Sequence, residues 1–130
     1  MSEIRLPPEM EVGQGYGKVN WSVRAIWESY GGWFHHRSTT ELYSVPQSSV
    51  AADIVELAGG AAGILERARQ KLLNGRHEEA IHLLDIVRDA GADTPESRAL
   101  GVEVHEALLG QSENFWLSSW LKHQIGLLQD

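Results

Sequence analysis

The stretch ILERARQKLLNGRHEEA, Ile64 to Ala80, decides the fold. Ile64, Leu65, Ala68 and Leu72 form one stripe at helical spacing, Asn74-Gly75 interrupts it, and Ala80, Leu83, Leu84 and Val87 form a second stripe. The pattern predicts two helices joined in a hairpin.

Working outward toward the C-terminus, Gly91 closes the second of these helices. Thr94-Pro95-Glu96 then supplies a capping hydroxyl, a proline at the first helical position and a carboxylate against the positive end of the helix dipole. The helix opened there carries Leu100, Val104, Ala107 and Leu108 and ends at Gly110. A last helix starts near Ser112-Glu113 and runs through FWLSSWLKHQIGLL.

Toward the N-terminus, Val50 to Leu57 reads as a short helix capped by Ser48 or Ser49 and closed by Gly59-Gly60. His35 to Gln47 loses periodicity and reads as a polar loop, with Pro46 biasing Val45 away from helical geometry. Before it, Val23, Ile26, Trp27, Tyr30 and Phe34 share a stripe on a helix capped by Asn20 or Ser22 and stopped near Gly31-Gly32. Residues 1–20, with Pro7-Pro8, Gly13, Gly15 and Gly17, read as an extended arm.

No segment alternates convincingly as a strand, so the expected fold class is all-α. The sequence predicts one domain over 1–130, a five- or six-helix bundle built around the hairpin. With Ala68, Gly75 and Ala80 at their offsets, that hairpin resembles one tetratricopeptide repeat.

Eighteen acidic against eleven basic residues give a net charge of -7, which disfavours a nucleic-acid partner because no basic face can be assembled against that field. The absence of cysteine removes disulfides, thiolate zinc sites and thiol nucleophiles together. No apolar run approaches the roughly 20 residues needed to span a bilayer, and MSEIRLPPEM lacks the basic and apolar regions of a signal peptide. The expectation is a cytoplasmic protein with no membrane partner.

Chemistry finds few candidates. His77 and His82 are five apart and so on different helix faces, His35-His36 are adjacent in a loop, and His105 and His123 stand alone, so no metal site is expected. Gly13-Gln14-Gly15-Tyr16-Gly17 follows no strand and lacks the third glycine of a dinucleotide loop. The pairs Glu78-Glu79 and Glu103-Glu106 lie on highly charged helices and read as solvated faces. No serine has a nucleophile-elbow setting. Neither catalytic residue nor cofactor is expected.

Taken together, Tyr16-Gly17, Asn20, Arg24-Ala25-Ile26-Trp27, Tyr30, Gly32-Trp33-Phe34, Val55 to Gly60 and Ala68-Arg69 keep an order and spacing that resembles the helical dimerisation domain of the alkylsulfatases. The resemblance extends from Leu6-Pro7-Pro8 to about Leu121. It implies a module that in the family follows a zinc-dependent catalytic domain of the metallo-β-lactamase type, whose HxHxDH zinc signature does not occur in this sequence. The resemblance also implies sulfate-pocket positions, a histidine, an asparagine and a hydroxyl-bearing aromatic, which are here Trp21, Ser22 and Trp33. An indole offers only an N–H donor and carries no charge, so these positions imply a lost pocket.

Five tryptophans call for a role of their own. Trp27 is expected in the core stripe of its helix, while Trp116, Leu117, Trp120 and Leu121 are candidate interface residues, because aromatic and leucine clusters with few charges mark interface cores. The expected function is a non-catalytic homodimerisation module, with self as partner and a metallo-β-lactamase-type catalytic domain as a second. Two alternatives stand beside it: a fragment or subunit of a zinc-dependent alkyl sulfatase, and a repeat-like peptide-binding module.

Overall fold

The computed structural model describes residues 15–130. The proline pair, Gly13 and the rest of positions 1–14 of the expected arm lie outside these residues.

Among the described residues six α-helices follow one another: α1 (Val19–Gly31), α2 (Ala51–Leu57), α3 (Ala61–Leu73), α4 (His77–Asp89), α5 (Pro95–Gly110) and α6 (Phe115–Gln129). There is no strand among the described residues, and the fold is all-α. The chain divides into two compact units. One, the hairpin unit, comprises Pro46–Gln111 and Trp120–Asp130; the other, the aromatic unit, comprises Ser112–Ser119 and, among the described residues, 15–45.

In the hairpin unit α4 packs against α2, α3 and α5. Ala68 of α3 and Ala80 of α4 are both fully buried and join Leu100 and Val104 of α5 in one apolar cluster. Small side chains at Ala68 and Ala80 let the two helices approach closely, and Leu72, Leu83 and Leu84 fill the space beside them. A second cluster of Ile64, Leu65 and Val87 shares Leu83 and Leu84 with the first. The stripes of the quoted stretch are thus the core.

Glycines set the corners where the backbone turns left-handed. Gly75 (φ 71°) follows α3, and Gly91 (φ 67°) follows α4, a conformation that a Cβ disfavours. Gly59 and Gly60 close α2 in the same way, donating to the Glu56 and Val55 carbonyls. Across the α3–α4 turn, Glu79 accepts from Lys71 at 2.6 Å and from Arg76.

Helix starts were only partly anticipated. Thr94 caps α5 as expected: its hydroxyl accepts the Ser97 N–H at 3.1 Å, and the buried Ser97 hydroxyl accepts the Thr94 N–H at 2.8 Å, completing a capping box. For α1, neither Asn20 nor Ser22 is the cap. Extended Lys18 holds that place, its carbonyl accepting the Trp21 and Ser22 N–H groups, so the backbone alone closes the first turn. Ser48 and Ser49 do not cap α2 either, because they sit within a 3₁₀ turn, Gln47–Val50, that starts after Pro46. For α6 the cap is Asn114, two residues after the expected start; its side-chain oxygen accepts the Leu117 N–H at 2.9 Å.

The expected polar loop also carries structure. Thr39–Leu42 forms a 3₁₀ turn capped by the Ser38 hydroxyl.

Candidate assembly surface

All nine buried apolar residues among those described, Ala51, Ile64, Leu65, Ala68, Ala80, Val87, Leu100, Val104 and Leu121, belong to the hairpin unit. In the aromatic unit the one buried side chain among the described residues is polar, Asn114.

The stripe on α1, expected as core, is uncovered. Ile26 is 58% exposed, Trp27 56% and Tyr30 91%, and α1 contains no buried residue. The correction has a simple origin: periodicity reports that a helix has an apolar face, not that its own chain covers that face. Trp27 lies against its own helix, where a Cβ on Gly31 would stand 3.4 Å from the indole Nε1. Phe34, counted in the stripe, lies beyond the helix, which Gly32 (φ 76°) terminates.

The charges of α1 neutralise each other away from this stripe. Arg24 Nε donates to Glu28 at 2.8 Å across one turn, and that hydrogen bond is the main reason the Glu28 carboxyl is held below its ordinary range. Downstream, partial burial pushes the Glu41 carboxyl up, but backbone N–H groups of His35 (2.6 Å) and Arg37 (3.2 Å) outweigh it and hold the group below the ordinary range. The cluster fixes the turn after α1. It leaves no carboxylate poised as an acid or base.

Around the start of α6, still within the aromatic unit, the Phe115 N–H donates to the Gly15 carbonyl at 2.6 Å and the Phe115 ring lies 5.5 Å from that of Tyr16. Tyr16, Trp21, Ile26, Trp27, Tyr30, Trp33, Phe115 and Trp116 are all exposed. At about 200 Å² per large side chain, they leave on the order of 1,000 Å² of side-chain surface uncovered in total.

The structure separates the other candidates. Trp116 and Trp120 are each 59% exposed, as an interface requires, and Leu117 is half-buried. Leu121 is 4% exposed and belongs to the core of the hairpin unit, which removes it from the interface set. The three pocket-equivalent positions do not converge: Trp21 and Ser22 occupy the first turn of α1, with Lys18 Nζ 5.5 Å from the Trp21 ring, whereas Trp33 lies past the other end against Phe34.

Among the described residues no group of three His, Asp or Glu is arranged to hold a metal ion. His105 Nδ1 instead lies 2.7 Å from the Gly101 carbonyl. A cavity of about 500 Å³ beside α5 is lined by Ala99, Val102, Leu128 and Arg98, among others, and gathers no catalytic set. No single helix among the described residues is long and apolar enough to cross a membrane.

Comparison with known proteins gives this surface its context. A family model described as alkyl sulfatase dimerisation matches residues 1–125. The alkyl/aryl-sulfatase BDS1 of Saccharomyces cerevisiae is 25% identical over 97% of this chain and 20% of its own length. The linear primary-alkylsulfatase of a Pseudomonas species is 27% identical over 98% of this chain and 20% of its own. An (R)-specific secondary-alkylsulfatase of a Pseudomonas species is 26% identical over 90% and 18%. The chain spans about a fifth of the length of these curated relatives.

Proposed function

This chain belongs to the alkyl sulfatase dimerisation family, and from that membership we propose that it joins two copies of itself through the uncovered aromatic surface of α1 and the start of α6. The observation that carries the reading is the aromatic unit's lack of any buried apolar residue among those described. A second copy, related by a two-fold axis, would bury the same residues on both chains. Sedimentation of the chain across a concentration series tests this. A strictly monomeric chain at high micromolar concentration would overturn it.

The relatives are alkylsulfatases, and the chain matches only about a fifth of each. A metallo-β-lactamase-type catalytic domain, in the same polypeptide or supplied by a neighbouring gene, is the partner this supports. On that reading the chain contributes assembly and no chemistry: Trp21, Ser22 and Trp33 stand apart at the two ends of α1. Metal analysis and an alkyl-sulfate hydrolysis assay on the chain test the division of labour. One tightly held zinc per chain, or sulfate release, would refute it.

A further inference from the structure

We propose that Asn74 is a site of spontaneous deamidation, held in check by the α3–α4 turn and released when that turn opens.

The reaction needs an asparagine followed by a residue whose backbone nitrogen can be approached closely. The Gly75 amide loses its proton and its nitrogen attacks Asn74 Cγ; the N–Cγ bond forms, the Cγ–Nδ2 bond breaks, and Nδ2 leaves as ammonia carrying the proton. Water then opens the cyclic imide at either carbonyl. One opening gives aspartate, the other isoaspartate, with the main chain rerouted through Cβ. Of the three asparagines, Asn20 and Asn114 precede Trp21 and Phe115, whose side chains crowd the nitrogen, and Asn74 precedes a glycine. Asn74 is exposed, and a Cβ built on Gly75 would meet nothing within 4 Å. The site is open.

The folded turn opposes the chemical step itself. The Gly75 N–H donates to the Leu72 carbonyl at 3.0 Å, which retains the proton that must leave. Asn74 has ψ 10°, directing the Gly75 nitrogen away from its own side chain. Ring closure requires rotation about the Asn74 Cα–C bond, and that rotation breaks the Leu72 bond together with the Arg76 N–H bond to the Lys71 carbonyl at 2.8 Å. Glu79, accepting from both Lys71 and Arg76, resists the same movement. Deamidation therefore waits on local opening.

The two products load the hairpin differently. Aspartate keeps the backbone and adds a charge at the carbonyl end of α3, where the helix dipole disfavours it. Isoaspartate also inserts an atom into the main chain where the Gly75 and Arg76 N–H groups must both reach back to α3. It should loosen the turn more.

Incubating the whole chain at mildly alkaline pH, folded and in urea above its unfolding midpoint, with peptide mapping by mass spectrometry, tests the proposal. In urea Asn74 should react at least about tenfold faster than Asn20 or Asn114. Folding should slow Asn74 by about tenfold or more, and by the same factor, within about threefold, that protects the Gly75 amide from hydrogen exchange, because both reactions need that N–H released. Equal rates at the three asparagines in urea would overturn the site. Equal rates at Asn74 in the folded and unfolded chain would overturn its control by the turn. The purified isoaspartate form should unfold at lower urea than Asn74→Asp, and coincident curves would overturn the difference between the products.

Discussion

Gly101 of α5 presents bare backbone to Leu128 of α6: a Cβ placed on Gly101 would stand 3.1 Å from the Leu128 Cδ1. The position is buried in the hairpin unit, and the missing side chain leaves room for the Leu128 side chain against the α5 backbone. A mid-helix glycine is otherwise a weakness of roughly 1 kcal/mol relative to alanine. Gly101→Val should therefore destabilise by about 1–3 kcal/mol through overpacking. Gly101→Ala should stay within about 1 kcal/mol of wild type, propensity offsetting crowding. Adding Leu128→Ala to Gly101→Val should recover part of the loss, a coupling that urea unfolding of the double-mutant cycle measures.

The capping box at the start of α5 is a second site with a defined magnitude. Thr94→Ala should cost about 1 kcal/mol. Ser97→Ala should cost at least as much, because Ser97 is buried and its hydroxyl also reaches the Asp93 carboxylate and the Thr94 carbonyl. The double variant should lose less than the sum of the two, since each removes the other's partner. Thermal unfolding of the three variants checks the order.

Trp120 and Leu121 are adjacent in sequence and opposite in burial. Leu121→Ala should lower unfolding stability by about 2–5 kcal/mol by opening a cavity in the core. Trp120→Glu, at a 59% exposed position, should leave chemical unfolding of the hairpin unit near wild type. It should weaken association by several kcal/mol, on the order of 3–5 if the site is desolvated between copies. Trp116→Glu should behave like Trp120→Glu. Sedimentation paired with urea titration separates the outcomes, and a Trp120→Glu chain that unfolds before it dissociates would assign that residue to the core.

Acid sensitivity should follow from Glu79. The hydrogen bond from Lys71, followed by that from Arg76, holds its carboxyl below the ordinary value of 4.5. A depressed carboxyl binds fewer protons folded than unfolded, so its stabilisation is present above the unfolded value and is lost as pH falls through the folded one. Stability should fall below about pH 4.5, with Glu28 and Glu41 adding to the slope. Glu79→Gln should flatten the profile of melting temperature against pH between 5 and 3. An unchanged slope would show that Glu79 titrates alike in both states.

The hairpin unit was legible because its determinants are local and periodic. Ile64, Leu65, Ala68, Ala80 and Val87 recur at helical spacing and are the buried residues, and Gly75, Gly91 and Thr94-Pro95 stand at the helix ends. The helix starts at Lys18, Val50 and Asn114 differ from the sequence expectation for different reasons. Lys18 and Val50 cap with backbone alone and so leave no residue-type signal, and at α6 Ser112 and Asn114 are both good capping residues two positions apart, of which the helix uses the second. Trp27 is expected in the core and found exposed, because an apolar stripe looks the same whether its cover comes from the same chain or from another. The close approach at Gly101 was equally hidden, since it depends on Leu128, far away in sequence.

The Arg24–Glu28 pair has a consequence for company as well as for strength. With both charges of α1 engaged with each other, the face proposed to meet a second copy carries no electrical signature, and on that reading discrimination falls to the shapes of Val23, Ile26, Trp27 and Tyr30. A face of that kind has no means of rejecting a close paralogue whose helix keeps the same contours. Where two such genes are expressed together, mixed pairs should form alongside the matched ones, and a defective copy would then enlist sound ones into its own assemblies.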